Sequence, residues 1–404
     1  MYQNALEGVR VVDFSWVVAG PFCTKLLGLM GAEVIKIESA TRPQFKNRSG
    51  WFSVINNSKK SCTINLSTDR GKALVKRLIA VSDVVVENFS TGVMDRLGLG
   101  YDALKAIKED IIYVSSSGVG RTGPAKDYPA YGALLHGWSG WTSLFGEPNP
   151  RMEGMGISPS WVDPLTGSWE ALIIQAALLQ RSRTGGGLYV DLSMLESGIA
   201  IMGDVFLEVA VTGRLPAAGQ SSGYSHAVPH GVYPCKEEDA WIAISVECQS
   251  EWEGLCRVLG DPSWCHEEEL LTLAGRQHNR VRIDRLLAAW TSQVPVQGLF
   301  HRLQSAGVPA GPCYNLQQVV DDPHMESRGL FRRLPLRDGR TLITPGIPWR
   351  DETDWKGTLF EAPAWASTMS TSSEGYWACQ RRSMRASDET ESLSRVRSRD
   401  GELS

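Results

Sequence analysis

Residues 9–37 read VRVVDFSWVVAGPFCTKLLGLMGAEVIKI, and this stretch decides the fold. Its two ends, 9–14 and 32–37, are short runs rich in β-branched side chains, as expected of buried strands. Between them, Ala19-Gly20-Pro21 interrupts the chain before the apolar-periodic segment 22–30, which is typical of a helix. The pattern therefore predicts a strand, a crossing helix and a second, parallel strand.

The same alternation continues outward along the chain. Further strand candidates lie at 62–66, 84–86, 111–114 and 188–192, and helical patterns lie at 71–81, 101–108 and 168–179. We therefore predict an α/β fold whose large domain is a Rossmann-like parallel sheet covered by helices. Ligands of such sheets bind where strands end, which directs attention to the loops 88–90 and 115–120.

The chain is long enough for two domains. We expect a large domain over 1–210 and a smaller α/β domain over 231–318. The linker between them, 211–230, contains a segment rich in Gly, Ser and Pro, and the segment 319–364 is expected to return to the large domain. The chain would thus leave the large domain once and come back to it.

The composition excludes several classes of function. A net charge of -4 gives no general attraction to nucleic acid or anionic lipid, and no apolar run has the roughly 18 residues of a membrane span. The N-terminus lacks a secretory signal pattern, and the eight cysteines show no CxxC pair and no zinc-ligand spacing. Motifs of serine hydrolases, P-loop proteins and dinucleotide-binding proteins are absent from the sequence. We expect a cytoplasmic protein with free thiols, no metal site and no permanently bound cofactor.

Short motifs stand in order along the chain: LEGVRVVD at 6–13, AGP at 19–21, LMGAEVIKIE at 29–38, NF at 88–89 followed by GVMDRLG at 92–98, TG at 184–185, GVPAGP at 307–312 and DPH at 322–324. By these motifs the chain resembles the class III CoA-transferase family. That family includes formyl-CoA transferases, carnitine and benzylsuccinate CoA-transferases and 2-methylacyl-CoA racemases. The segments 47–52 and 57–61 are most similar to the benzylsuccinate-type branch.

The resemblance implies a fold, an activity and partners. The large domain would bind CoA, and two chains would interlock as a homodimer or pair with a related subunit. The substrates would be an acyl-CoA thioester, such as succinyl-CoA, and a carboxylic acid acceptor.

The resemblance also places the catalytic aspartate of the family on Asp163, within WVDPLTG at 161–167. A carboxylate can attack a thioester to give a mixed anhydride, and CoA can then return to leave the enzyme carboxyl as a thioester. On the residues alone, an Asp before a Pro and a helix is also typical of a helix cap, and that interpretation stays open.

For CoA binding the resemblance implies contacts at Val18, Ala19, Ile64, Asn65, Leu66, Asn88, Phe89, Arg96 and Tyr131. Arg96 would meet a phosphate and Tyr131 would lie near the pantetheine; their ordinary alternatives are a solvated helix arginine and a half-buried core aromatic. The family often has cations where this chain has Ser39, Ser67 and Pro129. Candidates to replace them are Arg42, Lys46, Arg48, Lys59 and Lys60, and 219–223 is the candidate for the glycine-rich loop of formyl-CoA transferases.

Two alternatives stay open. A racemase of this family uses a histidine beside the aspartate, whereas Tyr131 stands at that position, and tyrosine is a poor base at neutral pH. His136 is expected to point elsewhere, and Glu247 is expected to be a surface acid. The other alternative is a non-catalytic CoA-binding subunit, against which the presence of Asp163 argues.

The residues after 364 differ from everything before them. From 365 to 404 the chain is rich in Ser and Arg and has no apolar period. Codons for 365–386, read from the last base of the Trp365 codon, can encode GEHNEYVFRRLLGMSEEEHAR, which resembles the family ending. We infer a reading-frame shift near 364–365 and expect a disordered tail over 365–404.

Overall fold

The computed structural model describes residues 4–39, 50–144, 160–214, 227–336, 339–350 and 355–363. Contacts between residues divide the chain into two compact units. The first contains the described residues up to 143, from 160 to 202 and from 329 onward, and the second contains the described part of 203–328. The tail predicted to be disordered, 365–404, lies outside the described residues.

Strands and helices alternate along the first unit. They are β1 (Arg10–Asp13), α1 (Ala19–Leu29), β2 (Glu33–Glu38), α2 (Gly50–Asn56), β3 (Lys60–Thr63), α3 (Asp69–Ala80), β4 (Val84–Glu87), α4 (Val93–Arg96), α5 (Tyr101–Lys105), β5 (Ile112–Ser117), α6 (Gly132–Trp138), α7 (Val162–Thr184), β6 (Leu188–Ser193) and α8 (Met194–Ala200).

The strands form one parallel sheet in the order β3-β2-β1-β4-β5-β6. In its centre, Val12 of β1 lies opposite Ile35 of β2 and Val85 of β4. Strand β4 can be a continuous valine run because helices cover both faces: Val85 packs into one apolar cluster, and Val84 and Val86 pack into the other. The prediction of a Rossmann-like parallel sheet is confirmed.

The chain leaves β1 and β4 toward opposite faces of the sheet. After β1 it enters α1, whose Cys23 and Leu27 belong to the apolar cluster that also contains residues of α7. After β4 it enters α4 and α5, whose Met94 and Leu104 belong to the cluster on the other face. The two loops part at the carboxyl ends of adjacent strands, and this divergence leaves a crevice where such sheets usually bind ligands.

Helix α7 begins earlier than its sequence pattern predicts. Its first residue is Val162 and its N-cap is Trp161, so Asp163 and Pro164 lie in the first turn. Proline is tolerated there because the first backbone N–H groups of a helix have no partner within it. The N-cap position therefore belongs to Trp161, and Asp163 is a first-turn residue.

The second unit is an α/β unit with its own core. Its elements are α9 (Gly203–Thr212), β7 (His230–Pro234), β8 (Trp241–Ser245), α10 (Gln249–Leu259), α11 (Leu273–His278), α12 (Arg280–Thr291), α13 (Val296–Ser305), β9 (Ala310–Pro312), α14 (Leu316–Val320) and α15 (Pro323–Arg328). The three strands form an antiparallel sheet in the order β7-β8-β9, and Ile242, Ile244 and Trp252 lie in the core. A large parallel-sheet unit and a second, smaller α/β unit are the fold class that the sequence predicts.

After the second unit the chain continues in the first unit as the antiparallel hairpin of β10 (Phe331–Pro335) and β11 (Thr341–Pro345). Asn57 Nδ2 donates to Thr344 Oγ1 at 3.3 Å, and Lys25 Nζ donates to the Pro345 carbonyl at 3.2 Å. The hairpin is thereby tied to α1 and to the residue that follows α2.

None of the helices within the described ranges is long and apolar enough to cross a membrane. In the same part of the chain, no three His, Cys, Asp or Glu side chains lie close enough together to hold a metal ion.

Candidate active site

A cavity of about 600 Å³ opens at the carboxyl end of the parallel sheet. Its walls come from the loops after β1 and β4, the end of β5, and the beginnings of α2, α6, α7 and α8. The lining includes Val17, Val18, Asn88, Ser117, Tyr131 and Asp163. The fold thus brings together residues that are far apart in the sequence.

Asp163 lines this cavity from the first turn of α7. Burial raises the pKa of its carboxyl from the usual 3.8 to about 6, although hydrogen bonds from the Ser160 side chain and the backbone oppose the shift. A Cβ atom at Gly132 would lie 1.9 Å from Asp163 Oδ2 and 2.4 Å from Ser160 Oγ. The carboxylate therefore lies against backbone at a point where no side chain larger than glycine fits.

The loop after β1 has a strained conformation beside the cavity. Val17 has a φ of 62°, in the left-handed region that β-branched residues avoid. Asn88, in the loop after β4, holds Trp16, the residue before Val17. Its Oδ1 accepts from Trp16 N at 2.7 Å, and its Nδ2 donates to Trp16 O at 2.8 Å. The ring of Phe89 packs edge-on against Trp16, with centroids 5.3 Å apart. Asn88 and Phe89 therefore stabilise the cavity wall.

A buried charged cluster lies at the end of β1, around Asp13. Its carboxylate pairs with Lys59 Nζ at 3.3 Å and Lys36 Nζ at 3.7 Å, and accepts a hydrogen bond from Thr24 Oγ1 at 2.7 Å. Burial lowers the pKa of Lys59 to about 7 in spite of the nearby Asp13 carboxylate. Lys59 is fully buried in this cluster, so the expectation that it replaces a phosphate-binding cation is wrong.

The structure places the expected CoA-binding residues in two groups. Val18, Asn88 and Tyr131 line the cavity with Asp163. The others do not line it: Ala19 and Ile64 are buried, Asn65, Leu66 and Phe89 are half-buried, and Arg96 is exposed on α4. Lys60 pairs with Glu33 Oε1 at 2.6 Å. The remaining expected candidates, Arg42, Lys46, Arg48 and 219–223, lie outside the described residues.

Comparison with known proteins identifies the family. The family model described as CoA-transferase family III matches residues 6–365 of the chain. The chain belongs to CoA-transferase family III. The succinyl-CoA–D-citramalate CoA-transferase of Chloroflexus aurantiacus is 33% identical over 332 residues, which cover 80% of this chain and 82% of that protein. The succinate–glutarate CoA-transferase of Agrobacterium fabrum is 30% identical over 357 residues, which cover 85% of this chain and 88% of that protein.

A solved structure of a CAIB/BAIF family protein from Brucella suis is also similar to this CoA-transferase. It matches with a TM-score of 0.81 and 28% sequence identity, and the match covers 90% of this chain and 97% of that one. The resemblance predicted from the sequence motifs is confirmed, and the protein is an enzyme that transfers CoA.

Some residues of the CoA-transferase cavity have no signal in the sequence. Gly132 and Ser160 line the cavity but belong to no motif of the sequence, and Trp51 lies in the segment 47–52 without a role that the sequence assigns. His136 does not line the cavity, as expected, but its Nε2 lies 3.0 Å from Ser160 Oγ, a contact with no signal in the sequence. The pair is 24 residues apart and meets only because α6 packs beside α7.

Proposed function

We propose that the enzyme moves CoA from an acyl-CoA donor to a carboxylic acid through covalent intermediates on Asp163. A carboxylate oxygen of Asp163 attacks the thioester carbonyl carbon, the C–S bond breaks, and CoA leaves as a thiolate. The thiolate then attacks the Asp163 carbonyl of the resulting anhydride. This step releases the donor carboxylate and leaves Asp163 as a CoA thioester.

The acceptor acid reverses these steps. Its carboxylate attacks the aspartyl thioester, expels CoA thiolate and forms a second anhydride. The thiolate attacks the acceptor's acyl carbon, and the Asp163 carboxylate leaves unchanged. Each step exchanges one C–O or C–S bond for another, so the cycle needs no oxidant, no metal and no net proton.

The observation that carries the proposal is the carboxylate of Asp163 in a cavity at the end of the sheet. With a pKa of about 6, the group is mostly ionised at neutral pH and more basic than an ordinary aspartate, which favours nucleophilic attack. The Ser117 hydroxyl lines the same cavity, and among the described residues its Oγ has no hydrogen-bond partner. It is available to donate to the oxyanion that forms when the thioester carbonyl is attacked.

Relatives support the donor class, and the cavity suggests how the acyl part is bound. The two relatives reported above are named for succinyl-CoA or succinate, so succinyl-CoA is the donor we propose to test first. Trp51 and Tyr131 line the cavity with 43% and 67% of their surfaces exposed, which leaves two aromatic faces for the substrates.

Trapping the covalent intermediate tests the proposal. Incubation with succinyl-CoA and hydroxylamine should convert Asp163 to its hydroxamate, which peptide mass spectrometry detects. Asp163→Ala should abolish transfer while CoA binding and folding remain, because only the nucleophile is removed. Normal turnover by the alanine variant would refute the assignment.

The racemase alternative lacks its base in the described cavity. Tyr131 lines the cavity, whereas His136 is almost fully buried and contacts Ser160 rather than the cavity. The test is exchange of the α-proton of a 2-methylacyl-CoA with deuterium from solvent. We expect none; exchange at the rate of CoA transfer or faster would favour the racemase.

We further propose that the enzyme works in the cytoplasm as a homodimer, as the family resemblance implies. Light scattering of the purified chain should give twice the mass of 44.4 kDa. Activity that appears only after a related second chain is added would instead support the subunit alternative.

A further inference from the structure

A short chain of polar groups runs from Asp163 through Ser160, which also lines the cavity, to the buried His136. The Ser160 Oγ and Asp163 Oδ2 border the same point beside Gly132, and the Ser160 side chain lowers the pKa of the Asp163 carboxyl; Ser160 Oγ also lies 3.0 Å from His136 Nε2. The imidazole of His136 is stacked on the Trp161 ring, with centroids 4.8 Å apart and planes 15° from parallel. Stacking fixes the plane of the ring, and its Nε2 faces Ser160 Oγ.

The direction of these hydrogen bonds follows from the donors available. A carboxylate only accepts, so the single hydroxyl hydrogen of Ser160 goes to Asp163. The Oγ of Ser160 must then accept from His136, which places the imidazole hydrogen on Nε2. Its Nδ1 has no hydrogen-bond partner in the described part of the chain, as suits a nitrogen that carries no hydrogen. Burial also lowers the pKa of His136, which keeps the ring neutral.

We propose that His136 is a positioning residue that acts through Ser160 to hold one oxygen of Asp163 and leave the other free to attack. This inference rests on the nucleophilic role of Asp163. A serine hydroxyl on its own can rotate toward Asp163 or away from it. A donor at His136 occupies the acceptor side of Ser160, so the hydroxyl hydrogen remains on Asp163 and its bond is strengthened by cooperativity.

The geometry also explains the place of Gly132. Its missing side chain leaves the space in which Asp163 Oδ2 and Ser160 Oγ approach each other. The carboxylate is thus held from one side by the hydroxyl and limited on another by backbone, so the nucleophilic oxygen meets the thioester in a single orientation.

Two substitutions at one position separate this role from a packing role. His136→Phe keeps an aromatic ring against Trp161 but removes the donor, whereas His136→Gln keeps a donor near the place of Nε2. We expect His136→Phe to lower kcat by about 3- to 10-fold, the effect of one hydrogen bond, with KM for succinyl-CoA unchanged. His136→Gln should restore most of the loss.

The pH profile gives a second readout. The Ser160 hydrogen bond favours the ionised carboxylate and lowers the pKa of Asp163. Weakening it in His136→Phe should move the acid limb of kcat to higher pH, and His136→Gln should move it back. A wild-type kcat and acid limb in His136→Phe, or equal losses in Phe and Gln variants, would overturn the inference.

A double-mutant test covers the case in which His136→Phe folds poorly. Ser160→Ala removes the centre of the chain, so exchanging His136 for Gln in that background should change nothing; any further loss above twofold refutes the relay. Hydroxamate trapping in each variant distinguishes failure of the proposed function from failure of the inference about His136. If Asp163 is not trapped even in the wild type, the proposed function fails; if it is trapped and His136→Phe behaves as wild type, only this inference fails.

Discussion

Replacing Asp163 by Asn should stabilise the protein in a way that depends on pH. The folded chain holds the carboxyl at a pKa of about 6, compared with its usual 3.8, because burial disfavours the charge. That difference corresponds to about 3 kcal/mol at 1.36 kcal/mol per unit, and partial exposure to solvent reduces it to about 1–2 kcal/mol. Asn has the same shape, carries no charge and still accepts from Ser160.

The sign follows from linkage between protonation and folding. A carboxyl whose pKa is raised by folding destabilises the native state increasingly as the pH rises from the usual 3.8 to about 6 and fully above that, whereas below its unfolded pKa the group is neutral in both states. Asp163→Asn should therefore gain little near pH 4, about half of its full gain at pH 5, and all of it at pH 8.

Urea denaturation at pH 5 and pH 8 measures the effect, with Asp102→Asn on the exposed surface of α5 as the matched control. The control should change stability by less than about 0.5 kcal/mol at both pH values. The Asn variant should also be inactive. An Asn variant no more stable than wild type at pH 8, or one with the same gain at both pH values, would refute the conclusion that burial of the Asp163 charge destabilises the fold.

Three other outcomes are expected. Gly132→Ala should lower kcat by about 100-fold, since its Cβ would lie 1.9 Å from Asp163 Oδ2, while Gly137→Ala in the same helix meets no atom within 4 Å and should remain active; equal kcat values would contradict this. Burial raises the pKa of Glu170 from the usual 4.5 to about 8, so Glu170→Gln should stabilise the fold fully at pH 9, by roughly half as much at pH 6 and little at pH 4, as denaturation at the three pH values will show. Replacing 365–404 by the shifted-frame ending should raise Tm and reduce aggregation, and codons that cannot encode that ending in the second frame would disprove the frame shift.

Much of the fold could be predicted because it depends on local patterns. The valine-rich strand β4 and residues 11–14 are buried on both faces, so their composition alone indicates central strands of a parallel sheet. The start of α7 could not be predicted as well. Because proline usually interrupts a helix, Pro164 suggests that the helix begins after it. In the first turn of α7, however, proline costs no hydrogen bond, so the helix begins before it.

The candidate site could be predicted from local sequence patterns even less well than the fold. Asp163 could be proposed as the nucleophile because the residues around it resemble a family motif, but its partners are set by packing between helices. His136 and Ser160 have ordinary neighbours in the sequence, and only the approach of α6 to α7 makes them a pair. Lys59 looks like a free cation in the sequence because its partner, Asp13, is 46 residues away and both are buried.

The two hydrogen bonds between Asn88 and the backbone of Trp16 have a consequence for evolution. They tie the loop after β1 to the loop after β4, so a change in the backbone of one loop breaks these hydrogen bonds unless the other loop changes with it. Substrate range in this enzyme should therefore diversify through paired changes in both loops. A library that randomises one loop will mostly yield misaligned cavities, whereas one that varies residues 16–18 and 88–90 together can yield new specificities.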